Sequence, residues 1–279
     1  MHKSWISAGL AFINLSLIAG FIVLTQGWLQ KHLGLAGAPF LAVLCLALYV
    51  AVSKVIERRN PCELAPRPAL LELAIGVVCG FLLFSMVMTL LWTVRAYHPQ
   101  GISSASGPLA KGFALALSAG ILEELLFRGL LFRMFSTLFG TWGALALTSA
   151  LFGAAHLGNR GATTTSGLAI AVEAGILLGA AYAATTRLWL PIGLHFAWNF
   201  TESSVFGMTV SGNAMTPGLI SGSLSGPNVV TGGAFGPEAS IIAVIVCVGA
   251  ALYFIRRIIN LRLAEPPMWR KSNPPAQDS

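Results

Sequence analysis

Long apolar runs separated by short polar breaks set the pattern of this chain. Eight runs stand out: about Trp5–Leu29, Ala38–Val55, Ala69–Val94, Gly112–Phe135, Trp142–Leu157, Leu168–Thr186, Leu188–Phe206 and Ala239–Ile258. A helix needs roughly 20 predominantly apolar residues to cross a bilayer, and most of these runs approach that length. The pattern predicts an all-α polytopic membrane bundle of about eight transmembrane helices. Lys3 precedes the first run, which is too long for a signal-peptide core and is followed by no small-residue cleavage site, so it reads as a signal anchor. The expected organisation is three N-terminal helices over 1–107, a core of helices four to eight over 108–260, and a disordered cytoplasmic tail over 261–279.

The breaks differ in character. Glu57–Pro68 holds Pro61, Pro66 and Pro68 besides mixed charge and reads as a cytoplasmic loop. Thr201–Glu238 is rich in Gly, Ser, Thr and Pro, with Glu202 and Glu238 its only charges. It is either a plain outer loop or a lid or re-entrant segment over a site. Paired prolines and Arg270-Lys271 mark the tail as solvated and lipid-touching. The chain shows no internal repeat, G-x-G-x-x-G or P-loop.

Composition agrees with the runs. Of 279 residues 56% are hydrophobic and 10% charged, against about 25% charged in soluble domains. A net charge of +7 could suggest a nucleic-acid partner. In so apolar a chain the positive-inside rule accounts for it better, and no nucleic acid is expected. With eight spans and an inner N-terminus, 13 of the 17 Lys and Arg fall on inner segments, leaving Lys31, Arg95, Lys111 and Arg160 outside. Both termini are therefore expected in the cytoplasm. Cys45, Cys62, Cys79 and Cys247 form no C-x-x-C and read as small apolar fillers.

Charge inside an apolar run is the exception that asks for chemistry. Ile121–Gly129 places Glu123, Glu124 and Arg128 within the fourth run. Each such charge costs roughly 2.5–3.5 kcal/mol at mid-membrane on insertion scales. Glu124 and Arg128 are four apart on one helical face and can pair, while Glu123 is turned away by about 100°. One carboxylate is then structural and the other is free. A buried ion pair that only fixes helix packing is the plainer alternative.

Two further runs carry polar pairs at the same i,i+4 spacing: Phe152 with His156, and His195 with Asn199. Singly, each could be an interhelical hydrogen-bonding residue. Their depths coincide, however. At 1.5 Å per residue, Glu123 lies ~15 Å, His156 ~21 Å, His195 ~10 Å and Asn199 ~16 Å from the inner ends of their runs. A carboxylate, two imidazoles and an amide at one depth can bind a divalent metal such as zinc, activate a water, or stabilise an oxyanion. Glu173, in the sixth run, reads as a carboxylate orienting a histidine or facing a water-filled cavity, and Arg187 as a snorkelling anchor.

Glu123-Glu124-x-x-x-Arg128, Phe152-x-x-x-His156 and His195-x-x-x-Asn199, in this order, resemble the three motifs of the CPBP family, the CAAX-protease and bacteriocin-processing proteins also called Abi. Leu188-Trp189-Leu190-Pro191 is also similar, and the resemblance spans roughly residues 111–200. It implies an eight-helix intramembrane endopeptidase, similar to type II CAAX prenyl endopeptidases, cutting near the C-terminus of a membrane-associated protein or peptide. It further implies Glu123 and His156 as the water-activating pair, His195 and Asn199 as the oxyanion site, and Glu124, Arg128 and Phe152 as structural support. Both a metalloprotease, with zinc on Glu123, His156 and His195, and a metal-free glutamate mechanism are argued for such proteins. No H-E-x-x-H is present to decide between them.

Two other classes compete: a secondary transporter, and a non-catalytic regulator or immunity protein on the same fold. Transporters usually show matching halves, whereas the polar residues here cluster in the C-terminal half with nothing mirroring them. The basic asymmetry makes the first testable statement. Reporter fusions at Pro66 and Gly222 fall on opposite sides of the membrane with Pro66 inside; both on one side would end the eight-span arrangement.

Overall fold

The computed structural model describes residues 2–103, 107–213 and 218–270. Helix α1 (His2–Leu33) and helix α2 (Gly37–Val55) are separated by a tight turn, Gly34–Ala36, where Gly34 takes φ +53°. Then come α3 (Ala69–Thr93), strand β1 (Tyr97–Ile102) and α4 (Gly107–Glu124). A wider π-helical stretch, Leu125–Phe132, carries α4 into α5 (Arg133–His156). Helix α6 (Thr164–Ile170) passes through a second π-helical stretch, Ala171–Ile176, into α7 (Leu177–Thr185). Helix α8 (Trp189–Phe200) continues through Thr201–Val205; strand β2 (Ile220–Leu224), the one-turn α9 (Asn228–Thr231) and α10 (Ile241–Asn260) complete the order.

The protein is predominantly helical, and among the described residues four helical stretches are long and apolar enough to cross a membrane. They are Ala8–Val55, which holds most of α1 and all of α2, then Ala69–Thr93, Thr164–Thr185 and Ile241–Asn260. The expected count of eight is thus not established on length and apolarity. The fourth run is interrupted by Glu123, Glu124 and Arg128, the fifth is short, and the seventh carries His195, Asn199 and Glu202. The fourth and fifth runs part at Gly140, whose φ of +75° breaks the helix. A Cβ there would lie 2.7 Å from the Glu265 carbonyl, because the chain after α10 returns to this point. Thr141 donates its N–H to the Glu265 carbonyl and accepts the Glu265 N–H on its hydroxyl. The stretch 261–270, expected to be free tail, is tied back here, while 271–279 lie outside the described residues.

Helix α8 is seated by very close backbone approach. A Cβ on Gly76 would come within 2.4 Å of the Leu190 carbonyl, on Gly80 within 2.3 Å of the Leu194 carbonyl, and on Gly193 within 2.5 Å of the Leu73 carbonyl. Gly76 and Gly80 are a G-x-x-x-G pair, the spacing that lets membrane helices touch without intervening side chains. From the opposite side Gly120 of α4 meets the Phe196 backbone. One apolar core joins Ile18, Leu41 and Tyr49 to Leu125, Leu130 and Tyr182, and another joins Phe84 and Met88 to Leu194, Trp198 and Cys247. Packing therefore runs without a gap across the expected boundary at 107/108.

A two-stranded antiparallel sheet, absent from the expectation, pairs β1 with β2, Tyr97 opposite Leu224 and Ile102 opposite Ile220. Its register shifts between Pro99 and Gly101, where proline cannot donate to the ladder. The sheet fastens the segment after α8 to the α3–α4 connection. At another point of the bundle, Glu57 accepts hydrogen bonds from Asn14 (2.7 Å), Arg59 Nε (2.6 Å) and Arg133 Nη2 (2.9 Å). Glu63 beside it accepts from Arg59 and Tyr49, pinning the Glu57–Pro68 loop to α2 and α5. Arg187, read from the sequence as a snorkelling anchor, pairs with Glu72.

Burial works against ionisation of Glu57, yet the hydrogen bonds from Arg133, Asn14 and Arg59 outweigh it and hold its carboxyl at about 2 instead of 4.5. A depressed carboxyl stabilises the fold above its unfolded value, and that stability drains as pH falls from about 4.5 toward 2. The size is about 3 kcal/mol at neutral pH. Thermal melts in detergent between pH 7 and pH 3 should show Glu57→Gln well below the wild type at neutral pH, the gap narrowing steadily below about pH 4.5. A gap independent of pH would disprove this role.

Candidate active site

The two adjacent carboxylates at the end of α4 have different surroundings. The Glu124 side chain is fully buried, and its Oε1 accepts from Arg128 Nη1 at 2.8 Å and from His195 Nδ1 at 2.9 Å. Glu123 keeps 32% of its side-chain surface exposed and faces the other way. Arg128 is itself 1% exposed. Its Nη2 donates to the Ala174 carbonyl at 3.1 Å and the Gly175 carbonyl at 3.2 Å, in the π-helical stretch before α7. Its guanidinium carbon lies 4.7 Å from the centre of the Phe152 ring. Such stretches often sit at functional sites, since the inserted residue re-aims neighbouring groups. Here one of them follows Glu124 directly and the other presents its carbonyls to Arg128.

Phe152 is the apolar partition of the site. It touches Phe127 edge-on at 4.9 Å between centroids, His156 at 4.7 Å and His195 at 6.2 Å. Both imidazoles are oriented from behind. His156 Nδ1 donates to the Phe152 carbonyl at 2.8 Å, and His195 Nδ1 donates to Glu124. In the neutral imidazole each Nε2 then carries a lone pair. The two Nε2 atoms stand 3.9 Å (His156) and 4.0 Å (His195) from the same oxygen, Glu123 Oε2. That oxygen is buried and has no hydrogen-bond partner among the described residues.

These gaps exceed a hydrogen bond. A water about 2.8 Å from each atom spans them comfortably. Ligand atoms on one tetrahedral zinc would be roughly 3.3–3.4 Å apart, so this set is about half an ångström wider than a bound one. Among the described residues no group of three His, Cys, Asp or Glu has the spacing of a metal cluster. In donor type the set does suit zinc, because each imidazole has its outer nitrogen anchored and its inner nitrogen free.

Glu123, His156, His195 and Asn199 all line one cavity of about 460 Å³. Lys111 and Ala119 of α4 form one wall, and Met208, Ser211 and Asn213 from the segment after α8 form another. The described part of that segment thus covers the cavity. Residues 214–217 lie outside the described residues.

Sequence reasoning missed a group of acids behind this wall. Glu173, Glu202 and Glu238 are all buried and lie close enough to interact electrostatically. Glu238 accepts from the Ser211 N–H (2.6 Å) and hydroxyl (2.7 Å), and Glu173 from the Cys247 thiol at 3.3 Å. A water-sized cavity of about 30 Å³ adjoins Glu173, Glu238, His156, His195 and Asn199. Glu173 therefore sits near both histidines without bonding to either, and Cys247 is more than an apolar filler. Two acids in an otherwise uncharged Gly-, Ser- and Thr-rich segment were the available signal.

Comparison with known proteins matches residues 105–201 to the family model for type II CAAX prenyl endopeptidase Rce1-like proteins. The matched stretch contains Glu123, Glu124, Arg128, Phe152, His156, His195 and Asn199. No curated protein and no solved structure matches the chain.

The charge geometry predicts separable mutants. Arg128→Ala strands Glu124 in the interior and should cost ~3–5 kcal/mol, read as a lower melting temperature and yield in detergent. Glu123→Gln, on a half-exposed side chain of the same shape, should melt like the wild type. A stable Arg128→Ala beside an unfolded Glu123→Gln would reverse the assignment.

Proposed function

We propose that this member of the CAAX-protease family, through its Rce1-like domain, is an intramembrane endopeptidase that hydrolyses a peptide bond near the C-terminus of a membrane-associated protein or peptide. One observation carries the reading: Glu123 Oε2 and the Nε2 atoms of His156 and His195 converge across about 4 Å at the wall of a 460 Å³ cavity. A water at that point donates one proton to Glu123 while His156 orients it, and its oxygen attacks the substrate carbonyl. The carbonyl oxygen becomes an oxyanion and takes a hydrogen bond from the Asn199 amide. His195, with Nδ1–H given to Glu124, adds a second donor to the oxyanion only when Nε2 also carries a proton. The proton on Glu123 then passes to the leaving amine as the C–N bond breaks.

Zinc held by Glu123, His156 and His195 would polarise the water and lower its pKa to about 7. With zinc, Glu123, His156 and His195 would serve as its ligands and Asn199 would remain the oxyanion donor; without it, Glu123 takes the proton and His156 orients the water. The reading also takes all eight apolar runs as membrane crossings with both termini in the cytoplasm, supported by the basic asymmetry of the segments.

Membrane-fraction peptidomics should show C-terminal fragments that disappear in Glu123→Gln, and loss of one oxyanion donor in Asn199→Ala should slow cleavage by about 10²–10³. Identical peptide profiles for wild type and Glu123→Gln would refute the protease reading. We further expect purified protein to hold less than one equivalent of zinc and to stay active in chelator. Stoichiometric zinc, with activity lost on chelation and restored by Zn²⁺, would replace the glutamate–histidine mechanism with a metal one.

A further inference from the structure

The cavity that holds Glu123 also contains a cation with no assigned task. Lys111 stands on α4 twelve positions before Glu123, and both line the same space. Among the described lining residues Lys111 is the only cation. It is exposed and forms no ion pair with a described carboxylate. Between the two, Gly112, Leu115, Ala116 and Ala119 also line the cavity, at the three- and four-residue steps of one helical face. A single face of α4 thus runs from an ammonium to the water-activating carboxylate, with mostly small side chains between.

We propose that Lys111 binds the C-terminal carboxylate of the substrate and so sets how far from the chain end the peptide is cut. The inference rests on the endopeptidase reading and adds a specificity-determining residue to it. Twelve residues of helix span ~18 Å, and the four-carbon stem of lysine can fold back by about 6 Å of that. An extended peptide advances about 3.3–3.6 Å per residue. With its carboxylate on Lys111 and its scissile carbonyl at Glu123, a substrate therefore has about three to five residues beyond the cut. A lysine that only anchors α4 to lipid phosphates would show no preference for a peptide acid over its amide.

The test separates binding from turnover. Glu123→Gln protein in phosphatidylcholine nanodiscs is titrated with a fluorescent pool of N-acylated decapeptides of mixed sequence, ending in either a free carboxylate or an amide. The acid pool should bind about tenfold more tightly, as expected for a charge-assisted hydrogen bond. Adding Lys111→Gln should remove the preference, Lys111→Arg should keep it, and Lys31→Gln should leave it unchanged. Equal binding of acid and amide, no binding of either, or a preference that survives Lys111→Gln overturns the proposal. In active protein, mass spectrometry of the cleaved acid pool should place Glu123-dependent cuts three to five residues from the end. Scattered cuts overturn the spacing, whereas a complete absence of Glu123-dependent cuts overturns the protease reading and leaves the binding result to decide on Lys111.

Discussion

A single buried guanidinium holds the site together. Arg128 bonds Glu124 on its own helix, reaches two carbonyls before α7, and lies over the Phe152 ring of α5. Through Glu124 it reaches His195 on α8. A buried pair of this kind contributes little net stability compared with a well-packed apolar core, because both charges are desolvated. What it contributes is specificity. The pair joins α4 to the stretch before α7 and, through Glu124, to His195 on α8, whose other ring nitrogen faces Glu123, while Arg128 Nε and Glu124 Oε2 have no partner among the described residues. Two adjacent carboxylates thus have separate surroundings for a physical reason: Glu124 turns inward to the ion pair, and Glu123 turns to the cavity.

Much of this was legible from hydropathy and spacing, and the rest was not, for identifiable reasons. Helix positions follow from apolar runs, and the i,i+4 pairs at Phe152 and His195 follow from helical geometry. Close approach leaves no hydropathy signal, however, so the Gly76, Gly80 and Gly193 seam appears only once α3 and α8 are seen together. Strand β1 is short, holds Pro99, His98 and Gln100, and has neither alternation nor β-branched enrichment, so its pairing with β2 depends on tertiary context. The Gly140 break resembles an ordinary helix glycine until the returning 261–270 stretch occupies the space of its side chain. Glu202 and Glu238 were visible as isolated acids, but nothing in their spacing places them beside Glu173.

The segment after α8 shows how a composition that reads as an irregular loop can still be fixed. Its Met208 N–H bonds the Glu202 carbonyl, its Ser211 bonds Glu238, and its Ile220–Leu224 strand pairs with β1. These ties reach the turn before α10 and the α3–α4 connection, so the cover of the cavity is braced at both.

The glycine seam also bears on how this sequence can change over generations. Along α3, Gly76 and Gly80 face backbone atoms at distances that admit no side chain larger than hydrogen. On the same helix Leu70, Leu71, Val78 and Leu82 are 55–83% exposed and face away from the protein. Any apolar residue serves at those outward positions. One helix therefore meets two constraints: its outward face accepts any hydrocarbon side chain, while its inward face has room only for hydrogen against the backbone of α8.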